Sequence, residues 1–300
     1  MKNNISFMES EKIIDEFIHV FFSIYYTKEE ELNLNDFPYW NRAWNAHLNG
    51  KAPCLLGGCF LNTSSYLPEK DKLVGRIENL QNNEVILLPN IRNFSKEQWM
   101  CSYSFEEIKC GYEFIYEVPE NDFDTKMRER IGTKNFRELK RLHRRSYDIS
   151  EIEIVPLNEL CANKTLMSEI DLIFLEHEVS YGHTKRIYGL DYLRAINQCK
   201  ELSEKCYVWI RKNLEEECIQ AMITFIDSVS DTIFYVAQAI KKNGLSKGIN
   251  LFKTSFLDIY MYAYSNNIKN VNLGRDSSMY KVEQLGASIV IPHSHLILSK

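Results

Sequence analysis

The chain has 300 residues, of which 45% are hydrophobic, and its formal net charge at pH 7 is −5. This length and apolar fraction suffice for one large domain or for two smaller domains with substantial cores. The acidic total charge excludes a protein whose whole surface is built to bind nucleic acid.

Membrane, secreted and zinc-binding classes are also disfavoured. No run of roughly 18 apolar residues occurs, and the N-terminal segment lacks the continuous apolar region of a signal peptide. We therefore expect no membrane insertion and a cytoplasmic location. The eight cysteines form no C-x-x-C pair and no grouping with histidine at zinc-ligand spacing, so we expect reduced thiols and no bound metal.

Residues 1–125 are predicted to form an N-terminal α/β domain. Apolar residues recur at helical spacing over 10–26, and a second helix is predicted over 95–110. Apolar runs over 53–61, 84–88 and 111–118 predict strands. Helices and strands are therefore mixed in this half of the chain.

A basic segment begins the second predicted domain, residues 126–300. Between residues 126 and 145, nine lysines and arginines stand against two acids, Glu129 and Glu138. Phe136, Leu139 and Leu142 recur at helical spacing, which predicts a helix over 133–146 with one buried edge. Two readings are open: a solvated linker helix, or a phosphate-binding face for a nucleotide, a phosphopantetheine arm or a tRNA acceptor stem.

The rest of the chain predicts an ordered series of helices and strands. A strand over 151–155 precedes helices over 163–179 and 190–204 and strands over 206–212, 218–227 and 232–240. A helix over 247–265, a strand over 269–273, a short helix over 278–284 and a strand over 287–292 follow. The alternation of apolar residues along 218–227 is typical of a partly buried antiparallel strand. The series predicts a mixed αβ sheet.

The junction between the strand over 232–240 and the helix after it is suited to an anionic ligand. The first turn of a helix leaves backbone N–H groups without intrahelical partners, and the helix dipole adds positive charge there. Gly244 and Gly248 permit close approach of a ligand, Ser246 is a natural N-cap, and Lys247 adds charge. An ordinary strand-turn-helix connection is the alternative reading.

This junction and the segment after it resemble the C-terminal half of the GNAT fold, the acyl-CoA-dependent N-acyltransferase superfamily, and more closely its Fem-type, FemAB-like branch. The family loop Arg/Gln-x-x-Gly-x-Gly/Ala aligns with Asn243, Ser246 and Gly248, of which Gly248 matches by residue type. The segments 271–274 and 281–287 resemble the branch's D-hydrophobic-G and K-x-x-x-hydrophobic-G patterns, with Asn272 in place of the acid. The resemblance implies a tandem of an N-terminal GNAT-like domain and a C-terminal GNAT domain.

The resemblance also implies a set of binding residues. The strand over 232–240 would part from its neighbour near residue 237, where a backbone amide could meet the donor carbonyl. Residues implied to bind the donor are Ala237, Gln238, Ala239, Asn243, Gly244, Ser246, Lys247 and Gly248. Arg275 and Lys281 are implied to contact carrier or substrate.

A proton acceptor for the amine is predicted at the end of the helix over 163–179 and in the loop after it. His177 and Glu178 lie on the helical face of Ile170 and Phe174, and His183 follows in the loop. Apolar surroundings would raise the pKa of a carboxylate toward neutrality and lower the pKa of an imidazole, because burial disfavours the charged form. A hydrogen-bonded core histidine and an exposed helix-end acid are the alternative readings.

Together these features predict an N-acyltransferase that moves an acyl group from an acyl thioester, on coenzyme A or on an acyl carrier protein, to a small-molecule or peptide amine. No nucleophile motif is present, which favours direct transfer in a ternary complex. The differences at Asn243 and Ser246 keep a second function open, Fem-type transfer of an aminoacyl group from tRNA. A non-catalytic, GNAT-derived binding module is the third possibility.

Overall fold

A mixed sheet runs through the part of the chain that the computed structural model describes, which is residues 48, 52–55, 74–75, 77–92, 104–180, 188–228, 230–241, 248–276 and 279–299. Within these residues the sheet has nine strands, in the order β1-β2-β9-β3-β8-β7-β6-β5-β4. The strands are β1 (Ala52–Leu55), β2 (Glu84–Arg92), β3 (Ser104–Glu117), β4 (Ser150–Pro156), β5 (Cys206–Asn213), β6 (Cys218–Asp227), β7 (Thr232–Ile240), β8 (Asn270–Asp276) and β9 (Ile289–Ser299). Pairing is parallel between β1 and β2 and between β7 and β8, and antiparallel elsewhere.

Helices cover both faces of this sheet. They are α1 (Phe123–Ile131), α2 (Thr133–Tyr147), α3 (Leu157–Ala162), α4 (Lys164–Ser180), α5 (Leu190–Gln198), α6 (Lys200–Ser203), α7 (Leu251–Ser265) and α8 (Tyr280–Glu283). Helices α3 to α6 build one apolar core with the sheet. Helices α1, α2, α7 and α8 build a second core on the opposite face. These two sides are called the α4 face and the α7 face below.

Strand β6 shows why the sheet needs both layers. Ala221, Ile223 and Phe225 belong to the core of the α4 face, whereas Met222 belongs to the core of the α7 face. All four side chains are buried. The alternation predicted from the sequence is therefore present, and both of its series are covered.

The first half of β3 corrects one prediction. A helix was expected over 95–110, but 104–110 belong to β3, and 95–103 lie outside the described residues. Strand β3 pairs with β9 from Ser104 opposite Ser299 to Ile115 opposite Ile289. This long antiparallel ladder satisfies the backbone of 104–110, so tertiary pairing overrides the local helical spacing.

Strand β3 also connects the two predicted domains. It lies between β9 and β8, so chain segments from both sides of residue 125 share one sheet. The division at residue 125 stays a prediction. The predicted helix over 10–26 lies outside the described residues.

Two helix boundaries differ from the sequence prediction for local reasons. The helix expected over 190–204 is divided at Cys199, whose backbone is extended, into α5 and α6. Helix α7 begins at Leu251 rather than at 247, because the Asn250 side chain accepts a hydrogen bond from the Lys253 backbone N–H at 3.0 Å. The predicted N-cap, Ser246, lies outside the described residues.

The helices are too short or too polar for a bilayer. No helix among the described residues has both the length and the apolar character needed to cross a membrane.

Gly286 shows how tightly the second family-like segment packs against α1. Its φ is +75°, and an added Cβ would lie 3.3 Å from Ile131 Cγ2. We expect Gly286→Ala to lower the free energy of unfolding by about 1–3 kcal/mol, because a left-handed backbone and a tight contact both oppose the methyl group. Urea unfolding followed by circular dichroism measures this loss.

Gly132→Ala is a comparison variant in which only the backbone opposes the methyl group. Gly132 has φ +81° and ψ 150°, a region that essentially only glycine adopts, and nothing lies within 4 Å of the added Cβ. We expect Gly132→Ala to lower the free energy of unfolding by about 1–3 kcal/mol from the backbone alone. An unchanged stability in Gly286→Ala would show that neither its backbone nor the contact with Ile131 opposes the methyl group.

Candidate functional site

The parallel strands β7 and β8 part in the middle of the sheet. Their register pairs Thr232, Ile233 and Phe234 with 270–272 and goes no further within the described residues. Beyond this point β7 continues beside β6 to Ile240, and β8 continues beside β3 to Asp276. This gap between β7 and β8 is called the strand opening below, and it begins three residues before residue 237. The family resemblance implied that the strands part near residue 237.

The predicted carbonyl-binding residues lie on β7 beside the strand opening. Ala237 and Ala239 are buried in the core of the α4 face. Gln238 points to the α7 face, where its Nε2 donates to Ser255 Oγ at 3.2 Å. A register shift between Ile223 and Thr224 of β6 gives β7 an extra residue here. The stretch therefore departs from a regular ladder where the donor carbonyl is expected, and its role stays a prediction.

Gly248 stands just before α7 and beside the basic helix α2. Its φ is +88°, and an added Cβ would lie 3.7 Å from the Arg145 guanidinium nitrogen Nη1. The predicted pyrophosphate site therefore receives a positive charge from a residue 103 positions earlier in the chain. The other predicted loop residues, Asn243, Gly244, Ser246 and Lys247, lie outside the described residues.

A basic groove runs along α1 and α2 and has a volume of about 650 Å³. It is lined by Asp124, Arg128, Thr133, Phe136, Arg137, Lys140, Arg141, Arg144 and Arg145. Lys140 pairs with Asp124 at 2.7 Å, and Arg141 pairs with Glu138 at 2.6 Å. Among the described residues no carboxylate pairs with Arg137, Arg144 or Arg145, so the groove keeps a positive field.

The position of α2 does not decide between the two readings of the basic segment. Phe136 and Leu139 are buried in the core of the α7 face, and α2 packs along α7. The phosphate-binding reading is compatible with this position, because the outer side of α2 lines the basic groove.

A buried ion pair fixes α2 and α7 on the sheet. Arg211 of β5 has no exposed side-chain surface, and its Nη2 donates to Asp258 Oδ2 of α7 at 2.5 Å. The other carboxylate oxygen, Oδ1, receives Tyr147 OH at 2.8 Å and lies 2.7 Å from His143 Nε2. Burial, and then the Asp258 charge, raise the pKa of Tyr147 well above its usual value.

Hydrogen bonds continue from this ion pair to β7. Arg211 Nε donates to Gln220 Oε1 at 3.1 Å, and Gln220 Nε2 donates to Ser255 Oγ at 2.5 Å. Ser255 Oγ also receives Gln238 Nε2. One chain of polar contacts thus joins the basic helix α2 to the β7 residue beside the strand opening.

The predicted proton acceptors differ in what surrounds them. Glu178 is buried, and its Oε1 accepts a hydrogen bond from the Tyr188 backbone N–H at 2.6 Å. His177 is half-buried, and its carbonyl oxygen receives Ser180 Oγ–H. His183 lies outside the described residues. The Glu178 contact holds the chain entering α5, and the catalytic roles stay predictions.

The two predicted substrate residues lie at the end of β8. Lys281 is buried and its Nζ donates to the carbonyl oxygens of Leu273 and Arg275, at 2.8 and 3.2 Å. Arg275 lies directly opposite Glu113 in the ladder between β8 and β3. Lys281 therefore fixes the backbone of Arg275 beside the strand opening.

A polar cluster that the sequence analysis missed lies across β8, β3 and β9. Asn272 Nδ2 donates to Glu113 Oε1, and Glu113 Oε2 lies 3.2 Å from His293 Nε2. All three are at most 2% exposed. Burial above all, and then the nearby charges of Arg275 and His293, lower the pKa of His295 to about 3. The signal in the sequence is the ionisable Glu113 inside an apolar strand run, together with two histidines in the last strand.

The acids, histidines and cysteines do not gather into a metal site. In the described part of the chain no three or more His, Cys, Asp or Glu side chains come together as metal ligands would.

No protein-family model matches the chain, and no curated protein matches it in sequence. Its structure is similar to that of L-PGS from Bacillus licheniformis, with a TM-score of 0.51 and 14% identity over 72% of this chain and 68% of that one. FemX gives a TM-score of 0.51 at 7% identity, over 76% and 75% of the two chains. The C-terminal domain of an Agrobacterium fabrum protein assigned as a lysylphosphatidylglycerol synthetase gives 0.51 at 11% identity, over 72% and 68%.

At these identities the likeness shows a shared fold and nothing more. The fold is the mixed α/β, GNAT-like fold that the sequence predicted. The function of this chain must be argued from its own residues.

The ion pair between Arg211 and Asp258 predicts a large effect on stability. We expect Asp258→Ala to lower the free energy of unfolding by about 3–5 kcal/mol, because Arg211 is left as a buried charge without its counterion. Urea unfolding at neutral pH measures the loss. Glu138→Gln is the control, because it removes an exposed ion pair with Arg141 on the same layer of helices. It should leave the midpoint of urea unfolding nearly unchanged. If both variants lost only a small and equal amount of unfolding free energy, the result would show that water reaches Arg211.

Proposed function

We propose that this protein is a GNAT-like transferase that moves an aminoacyl group from tRNA to an amine. The observation that carries the proposal is the basic groove, which leads along α2 to Arg145 and Gly248 beside the start of α7. A phosphate-bearing carrier bound there would reach the strand opening with its acyl end.

The strand opening supports the transfer chemistry. Backbone N–H groups of β7 near Ala237 and Ala239 are candidates to stabilise the negative charge that develops on the donor carbonyl oxygen. The amine attacks the carbonyl carbon, the C–N bond forms, the bond to the carrier oxygen breaks, and the carrier leaves as an alcohol. The acceptor would be a small-molecule or peptide amine.

The extent of the basic groove favours tRNA over a smaller donor. Its lining residues on α2 run from Thr133 to Arg145, which is roughly 18 Å along a helix axis. A single pyrophosphate covers only a part of that length, whereas a nucleic-acid backbone places several phosphates along it. The resemblance to the Fem-type branch, whose members use aminoacyl-tRNA, supports the same donor.

An acyl thioester on coenzyme A or on an acyl carrier protein is the second candidate donor. It is favoured by the junction at Gly248, where the start of α7 and Arg145 offer one compact anion site. In this case the phosphates would contact Arg145 and the first turn of α7, and Arg137 would be too far along α2 to take part.

We also propose that the chain is a tandem of two GNAT-like units, residues 1–125 and 126–300. In the shared sheet, β9 of the second unit lies between β2 and β3 of the first, so the two units would share strands rather than join edge to edge. In such a tandem the strand opening and all lining residues of the basic groove except Asp124 belong to the second unit.

The salt dependence of tRNA binding separates the two donors. We expect replacement of Arg137, Arg144 and Arg145 by Gln to reduce the slope of log Kd against log salt concentration by about 2–3. The reason is that each arginine removed leaves one phosphate without its cation, so that binding releases about one counterion fewer. Filter binding of aminoacyl-tRNA over a salt series measures the slope. Arg141 is kept, since Glu138 already pairs with it.

A charge-matched control removes three lysines away from the groove, Lys164, Lys200 and Lys212. The slope should change little in this control. Equal reductions in both triple variants would mean that net charge, and not the groove, determines binding. If acyl-CoA binds, with an affinity that depends on Arg145 and not on Arg137, while tRNA does not bind, the thioester donor replaces tRNA.

A further inference from the structure

A buried acid and a buried imidazole face each other on the α4 face of the sheet, close to the strand opening. They are Glu113 of β3 and His293 of β9, called the acid–imidazole pair here. We propose that this pair accepts the proton that the acceptor amine must lose before it attacks the donor carbonyl. The inference rests on the proposed transfer to an amine, but it concerns residues that no step of that proposal uses.

The strand geometry places the pair beside the strand opening. Val271 and Leu273 belong to the core of the α7 face, so Asn272 between them points to the α4 face. Asn272 pairs with Phe234 in the last step of the β7–β8 register. Neighbouring strands lie about 4.8 Å apart, so the row from β8 through β3 to β9 covers only about 10 Å.

The orientation of Asn272 shows how the acid is held. Its Oδ1 accepts the Gly274 backbone N–H at 2.8 Å, which leaves Nδ2 as the atom that donates to Glu113 Oε1. The second oxygen of Glu113 is therefore the one directed at His293 Nε2. Arg275 lies opposite Glu113 in the ladder. A charged carboxylate beside an imidazole stabilises the imidazolium that forms when a proton arrives.

The neighbouring histidine is not suited to this task. His295 is fully buried, and burial together with Arg275 and His293 keeps its imidazole neutral at physiological pH. His293, in contrast, has a carboxylate oxygen of Glu113 at 3.2 Å from its Nε2. Among the described residues, Arg275 lies opposite Glu113 in the ladder, and Glu107 receives the hydroxyl of Ser294, the neighbour of His293, at 2.6 Å. The proton is therefore assigned to His293.

The proton balance of the transfer is complete with this pair. The ammonium form of the acceptor gives one proton to His293 through water along the row of about 10 Å from β8 to β9, and becomes a neutral amine. The amine nitrogen then attacks, and the second proton that it loses ends on the ribose hydroxyl oxygen of the departing tRNA. The proton on His293 returns to solvent before the next turnover. No oxidant, reductant or metal takes part in these steps.

The pair differs from the acceptors predicted from the sequence. Glu178 uses its Oε1 to hold the Tyr188 backbone, and its α4 position is on the other side of the strand opening from β3 and β9. A carboxylate that holds a backbone N–H is stabilised in its charged form but is also fixed in place. Glu178→Gln is therefore a useful comparison variant.

The test measures single-turnover transfer from a radiolabelled aminoacyl-tRNA to two probe amines, ethanolamine and Gly-Gly, between about pH 5 and 9. We expect His293→Gln to lower the rate about 10²–10⁴-fold and to abolish the acidic limb of the pH–rate profile. Glu113→Gln should also lower the rate, because the imidazolium loses the carboxylate beside it. Glu113→Asp, which keeps the charge, should restore much of the rate.

Controls separate this role from a structural one. His295→Gln removes a neighbouring imidazole that stays neutral, so the acidic limb should stay in place. Circular dichroism and the affinity for uncharged tRNA show whether each variant is folded and binds its donor.

The two possible failures are distinguishable. If the wild-type protein transfers the label and folded His293→Gln and Glu113→Gln keep its pH profile, the acid–imidazole pair is not the proton acceptor and the proposed function stands. If the limb is lost in Glu178→Gln instead, the acceptor is Glu178. If the wild-type protein transfers nothing to either amine and does not bind tRNA, the proposed function falls, and the pair has no amine to deprotonate.

Discussion

The position of the basic groove depends on one buried ion pair, between Arg211 and Asp258. Taking a guanidinium and a carboxylate out of water costs several kcal/mol for each ion, and only close mutual contact offsets this cost. Asp258 must therefore stay over β5, which fixes α7 in its position across the sheet. His143 and Tyr147 share the same carboxylate, so α2 is fixed by the same contact.

This arrangement bears on whether the proposed anion site can form. The C-terminal end of a helix carries partial negative charge, so the last turn of α2 by itself disfavours phosphate. Arg144 and Arg145 in that turn reverse the local sign, and Arg145 reaches the start of α7, where partial positive charge is available. The contact of Arg145 with the start of α7 requires that α2 and α7 lie side by side, and the ion pair holds them there. The charge of the groove is thus a property of the packing as much as of the composition.

The sequence predicted best those elements whose signals are local. Helices α2 and α4 and strands β6 and β7 agree with their predicted ranges to within a residue or two, because apolar periodicity reports directly on which face is buried. The first half of β3 was missed for the opposite reason. Phe105 and Ile108 have helical spacing, and the partner strand β9 is almost 200 positions away. No local pattern can show that pairing.

The sequence predicted individual segments of the candidate site, but it did not predict how these segments come together in the fold. Gly248 and the basic segment were both predicted as phosphate-binding features, but their contact depends on buried polar residues in β5 and α7 that no short motif contains. The acid–imidazole pair escaped for a similar reason. Glu113 and His293 are 180 positions apart and meet only because β3 and β9 are neighbours. Long-range strand order therefore determines most of the chemistry.

The two faces of the sheet carry different polar groups at the strand opening, which suggests a physical division of the reaction. On the α7 face, cationic side chains and the start of α7 would attract the proposed phosphate-bearing donor. On the α4 face, the Glu113 carboxylate and His293 form a region suited to a positively charged amine. A cationic acceptor would be repelled by the basic groove and attracted to the opposite face, whereas the anionic donor would show the reverse preference. The sheet separates these two fields, and the gap between β7 and β8 is where donor carbonyl and acceptor nitrogen can meet across it.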